Sequence, residues 1–154
     1  MGVYKINVDG ATLEIGRKSS IGVIIRDFKG EAATGLCRLL PGNFFVLETE
    51  TLAVEAGILL AKDLGLQQII NESNSLLAIQ SISAKEVSGE TGHIIQGILS
   101  NLDCFSSWQI RHVKKDFNKV VHELALYAKC KEMSQVWEEC SPTIVRHLIH
   151  HDCL

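Results

Sequence analysis

The sequence predicts an α/β protein: a five-stranded mixed sheet flanked by helices, in the order βββαβααβα. Three observations carry this reading. Roughly the first 40 residues hold three strand-like segments separated by turn residues, the pattern of an antiparallel meander. A long helical repeat follows directly. Strand and helix patterns then alternate to about residue 130, which requires crossover connections and parallel strands. With 154 residues, 46% hydrophobic and 21% charged, the chain is long enough to close one core without disulfides or metals. The expected domain is 1–132, and 133–154 is read as a carboxyl-terminal extension.

In order along the chain, Tyr4, Ile6 and Val8 alternate with Lys5, Asn7 and Asp9, a strand with one buried face that puts Asp9 near its carboxyl end before Gly10. Ile21 to Arg26 and Glu31 to Leu40 read as a hairpin around Asp27-Phe28-Lys29-Gly30. After Pro41-Gly42-Asn43, Leu52, Ala56, Leu60 and Leu64 recur at spacing four, giving a helix from about 47 to 64 that Gly65 stops. Gln67 to Asn71 is a short apolar strand. Ser73-Asn74-Ser75 caps a helix carrying Leu76, Leu77, Ile79 and Ile82. Ile94, Ile95, Ile98, Leu99 and Leu102 mark the next helix. Trp108, Ile110 and His112 alternate as a fifth strand, and Asn118 opens a helix with Val121, Leu124, Ala125 and Ala128 on one face. Ser141-Pro142 breaks the helical pattern beyond residue 133, and the end of the chain is expected to be a frayed tail, although Trp137 and Ile144 to Ile149 are apolar enough to dock.

The longest strongly apolar runs are about five residues, against the ~20 of a membrane span, so no membrane role is expected. The amino terminus enters a strand pattern at once, without the features of a secretion signal. Five cysteines, with no C-x-x-C pair, fit reduced thiols and an intracellular location, nucleus or cytoplasm. The net charge of −3 argues, as a total, against nucleic acid as a partner.

In a β/α sheet, residues at strand carboxyl ends and helix amino ends converge on one crevice. Asp9, Glu50, Asn74 and His122 all occupy such positions. Together they suggest a divalent-cation site in which one or two metals activate water and stabilise an in-line phosphoryl displacement. Singly, each has an ordinary reading: Asp9 as a turn cap, Glu50 as a partner of the helix dipole, His122 as a hydrogen-bonded histidine.

Several segments resemble the ribonuclease H type 1 family, and within it the plant, retroelement-derived, reverse-transcriptase-associated branch. They are Asn7-Val8-Asp9-Gly10-Ala11, Ile21 to Asp27 with Gly30, Glu48-Thr49-Glu50-Thr51-Leu52-Ala53, Glu72-Ser73-Asn74-Ser75, and Arg111-His112-Val113 with Asn118 to Ala125. The resemblance spans about residues 4 to 130. It implies the ribonuclease H-like fold and metal-dependent endonucleolytic cleavage of the RNA strand of RNA/DNA hybrids, with two Mg2+ or Mn2+ ions. It places Asp9 as the ligand bridging both metals, Glu50 rather than Glu48 and Asn74 on one of them, and His122 on the other. His112 matches a histidine that assists proton transfer or product release. The family's third position is an aspartate, and Asn74 lacks its charge, so weakened turnover is expected. Histidine at the fourth position is common in the plant branch, and manganese suits it better than magnesium. The alternative is a catalytically inactive retroelement-derived module that binds nucleic acid or protein.

Charge is unevenly distributed. Gln109 to Lys131 holds six basic residues against two acidic ones, a local balance of +4. Arg111, Lys114, Lys115, Asn118 and Lys119 are the expected contacts to RNA/DNA hybrid or double-stranded RNA, read through phosphates, 2′-hydroxyls and duplex shape. An ordinary solvated helix face is the competing reading. Glu86 to Ile110 has no Lys or Arg, so no basic handle is expected there. Cys140, His147, His150, His151, Asp152 and Cys153 invite a zinc reading, but no spacing matches a structural zinc pattern.

Overall fold

The computed structural model describes residues 2–13, 18–42, 44–131 and 134–138. The predicted tail, with its Ile144 to Ile149 segment and its Cys/His group, lies outside the described residues.

β1 (Tyr4–Leu13), β2 (Lys18–Arg26) and β3 (Ala32–Leu39) form an antiparallel meander, with Asp9 opposite Gly22 and Val23 opposite Leu36. α1 (Val46–Asp63) then crosses over, so that β4 (Gln68–Ser73) lies parallel to β1. α2 (Leu76–Ser83) and α3 (Gly92–Leu102) lead to β5 (Ser107–His112), parallel to β4. A 3-10 turn (Lys115–Phe117) precedes α4 (Lys119–Lys131). All nine predicted elements are present in the predicted order. A sixth strand, β6 (Gln135–Glu138), pairs antiparallel with β3 and gives the sheet order β5-β4-β1-β2-β3-β6. The sheet therefore runs past residue 132 into the segment expected to be an extension.

Period-two alternation sorts the strand side chains onto two faces. On one face Ile6, Val8, Ile21, Val23, Ile25 and Ile69 pack with Ala53, Val54 and Ile58 of α1 and Ile94, Ile95 and Ile98 of α3. On the other, Ile24 and Cys37 meet Val120, Leu124 and Ala128 of α4. Gly22 lies on this second face: a Cβ there would sit 2.6 Å from Val121 O and 2.9 Å from the Ala125 nitrogen. The missing side chain lets the α4 backbone lie directly on the sheet beside Asp9. Gly65 ends the α1 region at φ +73, a left-handed conformation that costs glycine little. No described helix is long and apolar enough to cross a membrane.

Candidate active site

Asp9 is 3% exposed and lies inside β1, not at its carboxyl end as expected: pairing with β2 carries the strand on to Leu13, while pairing with β4 stops at Val8. The first turns of α1 divide two acidic residues between two tasks. Glu48 accepts a hydrogen bond from the Phe45 N–H at 3.1 Å, one half of a capping box, since Phe45 has no side-chain acceptor. Two residues on, roughly 200° around the helix, Glu50 faces inward and accepts the Gly10 N–H at 2.6 Å. Helix geometry therefore turns inward Glu50, the residue the family resemblance implies, and gives Glu48 a capping role.

Burial pushes both inner carboxyls above the usual range. For Asp9, desolvation outweighs the opposing pull of His122. For Glu50, desolvation and then the Asp9 charge raise the group to about 8, with a hydrogen bond between the two carboxyls adding to the rise. The pair thus holds a proton near neutral pH. His122, one turn into α4, sets Nδ1 2.7 Å from Asp9 Oδ2, where its N–H donates to the carboxylate. Its ring is 53% exposed, so the histidine closes the solvent side of the pair.

Asn74 follows β4 immediately, and its orientation is fixed by Asn118. The Asn118 nitrogen Nδ2 donates to Val8 O, a group that can only accept, and also to Asn74 Oδ1, both at 2.8 Å. Its Oδ1 accepts from Asn7 at 3.2 Å. Asn118, expected as a nucleic-acid contact, is 3% exposed and braces β1 against the residue after β4, while it also lines the crevice described next. The sequence hides this: an asparagine before a helix reads as a helix opener, and its partners lie far away in the chain.

A crevice of about 180 Å3 joins Asp9, Asn74 and His122 to Lys115 and Lys119. Lys115 also draws the Glu50 titration downward. Lys114 is exposed and outside the crevice lining. Arg111 is committed elsewhere, its Nε 2.6 Å and its terminal nitrogen 2.5 Å from Glu72 Oε2. Glu72 is 4% exposed, and a buried carboxylate holds its cation, while the Arg111 side chain stays 41% exposed. His112 is exposed at the end of β5, opposite Ser73, and is not part of the crevice lining. Among the described residues, no three His, Cys, Asp or Glu side chains form a closed metal cluster.

A family model described as reverse transcriptase-like matches residues 7–128, most of the chain and every residue of the crevice. The chain belongs to the reverse transcriptase-like family. A search of curated protein sequences finds no match. Among solved structures, the chain is similar to RNase H1 of the halophilic archaeon Halobacterium salinarum, with a TM-score of 0.77 and 20% identity over 84% of this chain and 99% of that one. It is similar to LC11-RNase H1, solved in complex with RNA/DNA hybrid, with a TM-score of 0.75 and 20% identity over 84% and 98% of the two chains. The foamy viral protease-reverse transcriptase, also solved with RNA/DNA hybrid, matches with a TM-score of 0.67 and 15% identity over 84% of this chain and 20% of that one. The fold of this reverse transcriptase-like domain is that of ribonuclease H, and Asp9, Glu50, Asn74 and His122 stand on its β1, α1, β4 end and α4.

Proposed function

We propose that the domain binds RNA/DNA hybrid and hydrolyses its RNA strand slowly, with divalent cations. The observation that carries this reading is the pair Asp9 and Glu50: two interacting buried carboxyls, of which Asp9 lines a crevice shared with Lys115 and Lys119 and Glu50 lies outside its lining. Such a pair is an excess of buried negative charge that a cation would neutralise. The donor set fits a hard cation on the side of Asp9 and Glu50, and is poorer at Asn74 and His122. Bound there, Mg2+ or Mn2+ would supply an activated water and charge stabilisation for phosphodiester cleavage.

The protein's own groups do the rest. Lys115 and Lys119 attract phosphates to the crevice, and contacts of this kind hold duplexes without reading bases. His122 orients Asp9 through its Nδ1–H. The Gly10 N–H fixes one oxygen of Glu50. Histidine in place of a carboxylate at position 122 supports placement in the plant retroelement-derived branch.

The second reading is a module with the same fold that binds without cutting, and one observation favours it. Asn74 carries a single oxygen, and that oxygen already accepts from Asn118. An aspartate there would keep one oxygen on Asn118 and offer the other to a cation.

Cleavage of a labelled hybrid in Mg2+ and in Mn2+, beside anisotropy binding, separates the two readings. Asn74→Asp should raise cleavage by at least about tenfold and Asp9→Asn should abolish it. If neither the parent nor Asn74→Asp cuts while both bind, the domain is not an enzyme.

A further inference from the structure

The crevice has a larger neighbour on the same sheet face, a groove of about 710 Å3 that opens toward the β2–β3 hairpin. Asp116 and Asn118 line both. Within the 3-10 turn, Lys115 lines the crevice and Phe117 the groove, as the step of about 120° between successive residues of such a turn allows. The strands make the same passage. On β1, Lys5 and Asn7 line the groove, and Asp9, two residues on and about 7 Å away, lines the crevice. On β4, Ile70 and Glu72 line the groove and Asn74, just beyond the strand, lines the crevice. A polymer that leaves the crevice over the 3-10 turn therefore enters the groove.

The groove sets exposed rings beside cations. Phe28 and Phe117 are 69% and 71% exposed, above a floor that includes Ile24 and Ile70. The Phe28 ring lies against Gly2, where a Cβ would collide with it, and Lys29 Nζ stands 5.9 Å from its centre. The Glu72 side chain is 5% exposed, whereas those of its partners Lys5 and Arg111 are 47% and 41% exposed, so the cations and not the acid meet solvent. Glu72 engages the Arg111 Nε and one terminal nitrogen, which leaves guanidinium N–H groups for another acceptor. Of the other acids, Asp27 accepts the Lys29 and Glu31 N–H groups through Oδ1, and Asp116 stands at the boundary with the crevice. Exposed rings with cations alongside are what a single strand uses, because its bases stack and its phosphates pair with charge. A duplex hides its base faces and cannot use the rings. The volume falls within the range of about 300–1,000 Å3 for small-ligand sites and suits about one or two nucleotides.

We propose that the groove binds unpaired nucleotides of the RNA strand where that strand runs out of the hybrid past the crevice. This rests on the reading of the crevice as the site that holds the hybrid's RNA strand. Bases stack on Phe117 and Phe28, and the phosphate between them lies on Lys5 and Arg111. A blunt hybrid leaves the groove empty, so the domain favours hybrids that border single-stranded RNA.

Anisotropy titrations of the full chain in EDTA, where no cation supports cleavage, test this with one hybrid carried blunt or with a short overhang. At one end of the RNA strand the overhang should tighten binding by about fivefold or more, and an overhang on the DNA strand should not. Phe28→Ala/Phe117→Ala should lose the gain and Phe28→Tyr/Phe117→Tyr should keep it, with the blunt hybrid bound equally by all three proteins. Both rings are exposed, so the melting temperatures of these variants should match the parent. If the blunt hybrid binds and no RNA overhang helps, the groove proposal falls and hybrid binding at the crevice stands. A gain that the alanine pair retains, or an equal gain from DNA overhangs, also overturns it. Failure to bind the blunt hybrid removes the reading of the crevice and this proposal with it. A parent that sediments as a dimer and an alanine pair that sediments as a monomer would make the rings a contact between copies, again overturning it.

Discussion

The Asn118 amide nitrogen lies 2.8 Å from both Val8 O and Asn74 Oδ1 and so ties β1 to the residue after β4 across the mouth of the crevice. One donor group thus sets the separation of Asp9, next to Val8, from Asn74. Asn118→Ala leaves Val8 O and the Asn7 amide without this partner inside the protein. The expected cost is about 2 kcal/mol, a fall in melting temperature of roughly 4–8 °C by calorimetry. Asn118→Asp should cost more, because a carboxylate presents only acceptors to two oxygens that are themselves acceptors.

Glu50 ties stability to pH with a definite sign. Its folded-state titration is raised to about 8, so between the ordinary glutamate range and pH 8 the folded chain holds a proton that the unfolded chain has lost. This contribution is complete below the ordinary range and disappears as pH rises through 8; the raised Asp9 carboxyl acts in the same direction. The melting temperature of the cation-free protein should therefore fall by several degrees from pH 5 to pH 8.5. Glu50→Gln should flatten that slope. Mn2+ should stabilise the parent more at pH 8.5 than at pH 6, because binding must displace the shared proton. A slope unchanged in Glu50→Gln would show that the shared proton is not there.

Arg111 and the crevice lysines carry charge for different ends. Glu72 accepts from Arg111 and Asn7 and has Lys5 at 3.9 Å. Arg111→Gln should destabilise the fold by about 1–3 kcal/mol, less than the loss of an isolated buried pair because Asn7 and Lys5 remain. It should leave the salt dependence of hybrid binding unchanged. Lys115→Gln and Lys119→Gln should do the reverse: little change in melting, and a salt slope shallower by about one phosphate contact each. Denaturation and binding titrations at several salt concentrations check both halves.

The contrast between Arg111 and Lys115 also marks what the sequence can carry. Strand alternation is a local signal and puts Asp9 in the first strand, although β1 runs on to Leu13 instead of ending at Gly10. The spacing of Leu52, Ala56, Leu60 and Leu64 finds α1 but not its inner side, which carries Glu50, Val54, Gly57, Ile58 and Ala61, and the choice of Glu50 over Glu48 rests on the family resemblance. Glu48 and Glu50 differ by half a helical turn, which the residue count alone expresses. Partnerships are another matter. Arg111 and Glu72 are 39 residues apart, and Asn118 and Val8 are 110 apart. No periodicity encodes which basic residue will be consumed by a buried acid. β6 is equally silent: four residues after a helix give too few alternations to register, and the strand forms because β3 offers an unpaired edge.

Asn71 is a polar residue at a core position, between Ile6 of β1 and Ile110 of β5. It is fully buried, and neither its Oδ1 nor its Nδ2 has a hydrogen-bond partner among the described residues. Its amide lies close under Gly57 of α1, beside the Ile6 and Val8 side chains, so the surroundings are apolar. A carboxamide buried in this way forfeits its hydration with little return. Asn71→Val removes both orphaned groups, keeps the volume close to native and suits a central strand. The expected gain is about 1–3 kcal/mol, seen as a higher urea midpoint at unchanged slope. Position 71 lies three residues before Asn74 on the face toward α1, away from the crevice, so hybrid binding should be unaltered. A loss of stability in Asn71→Val would mean that an ordered water satisfies the amide and that the position is polar by design.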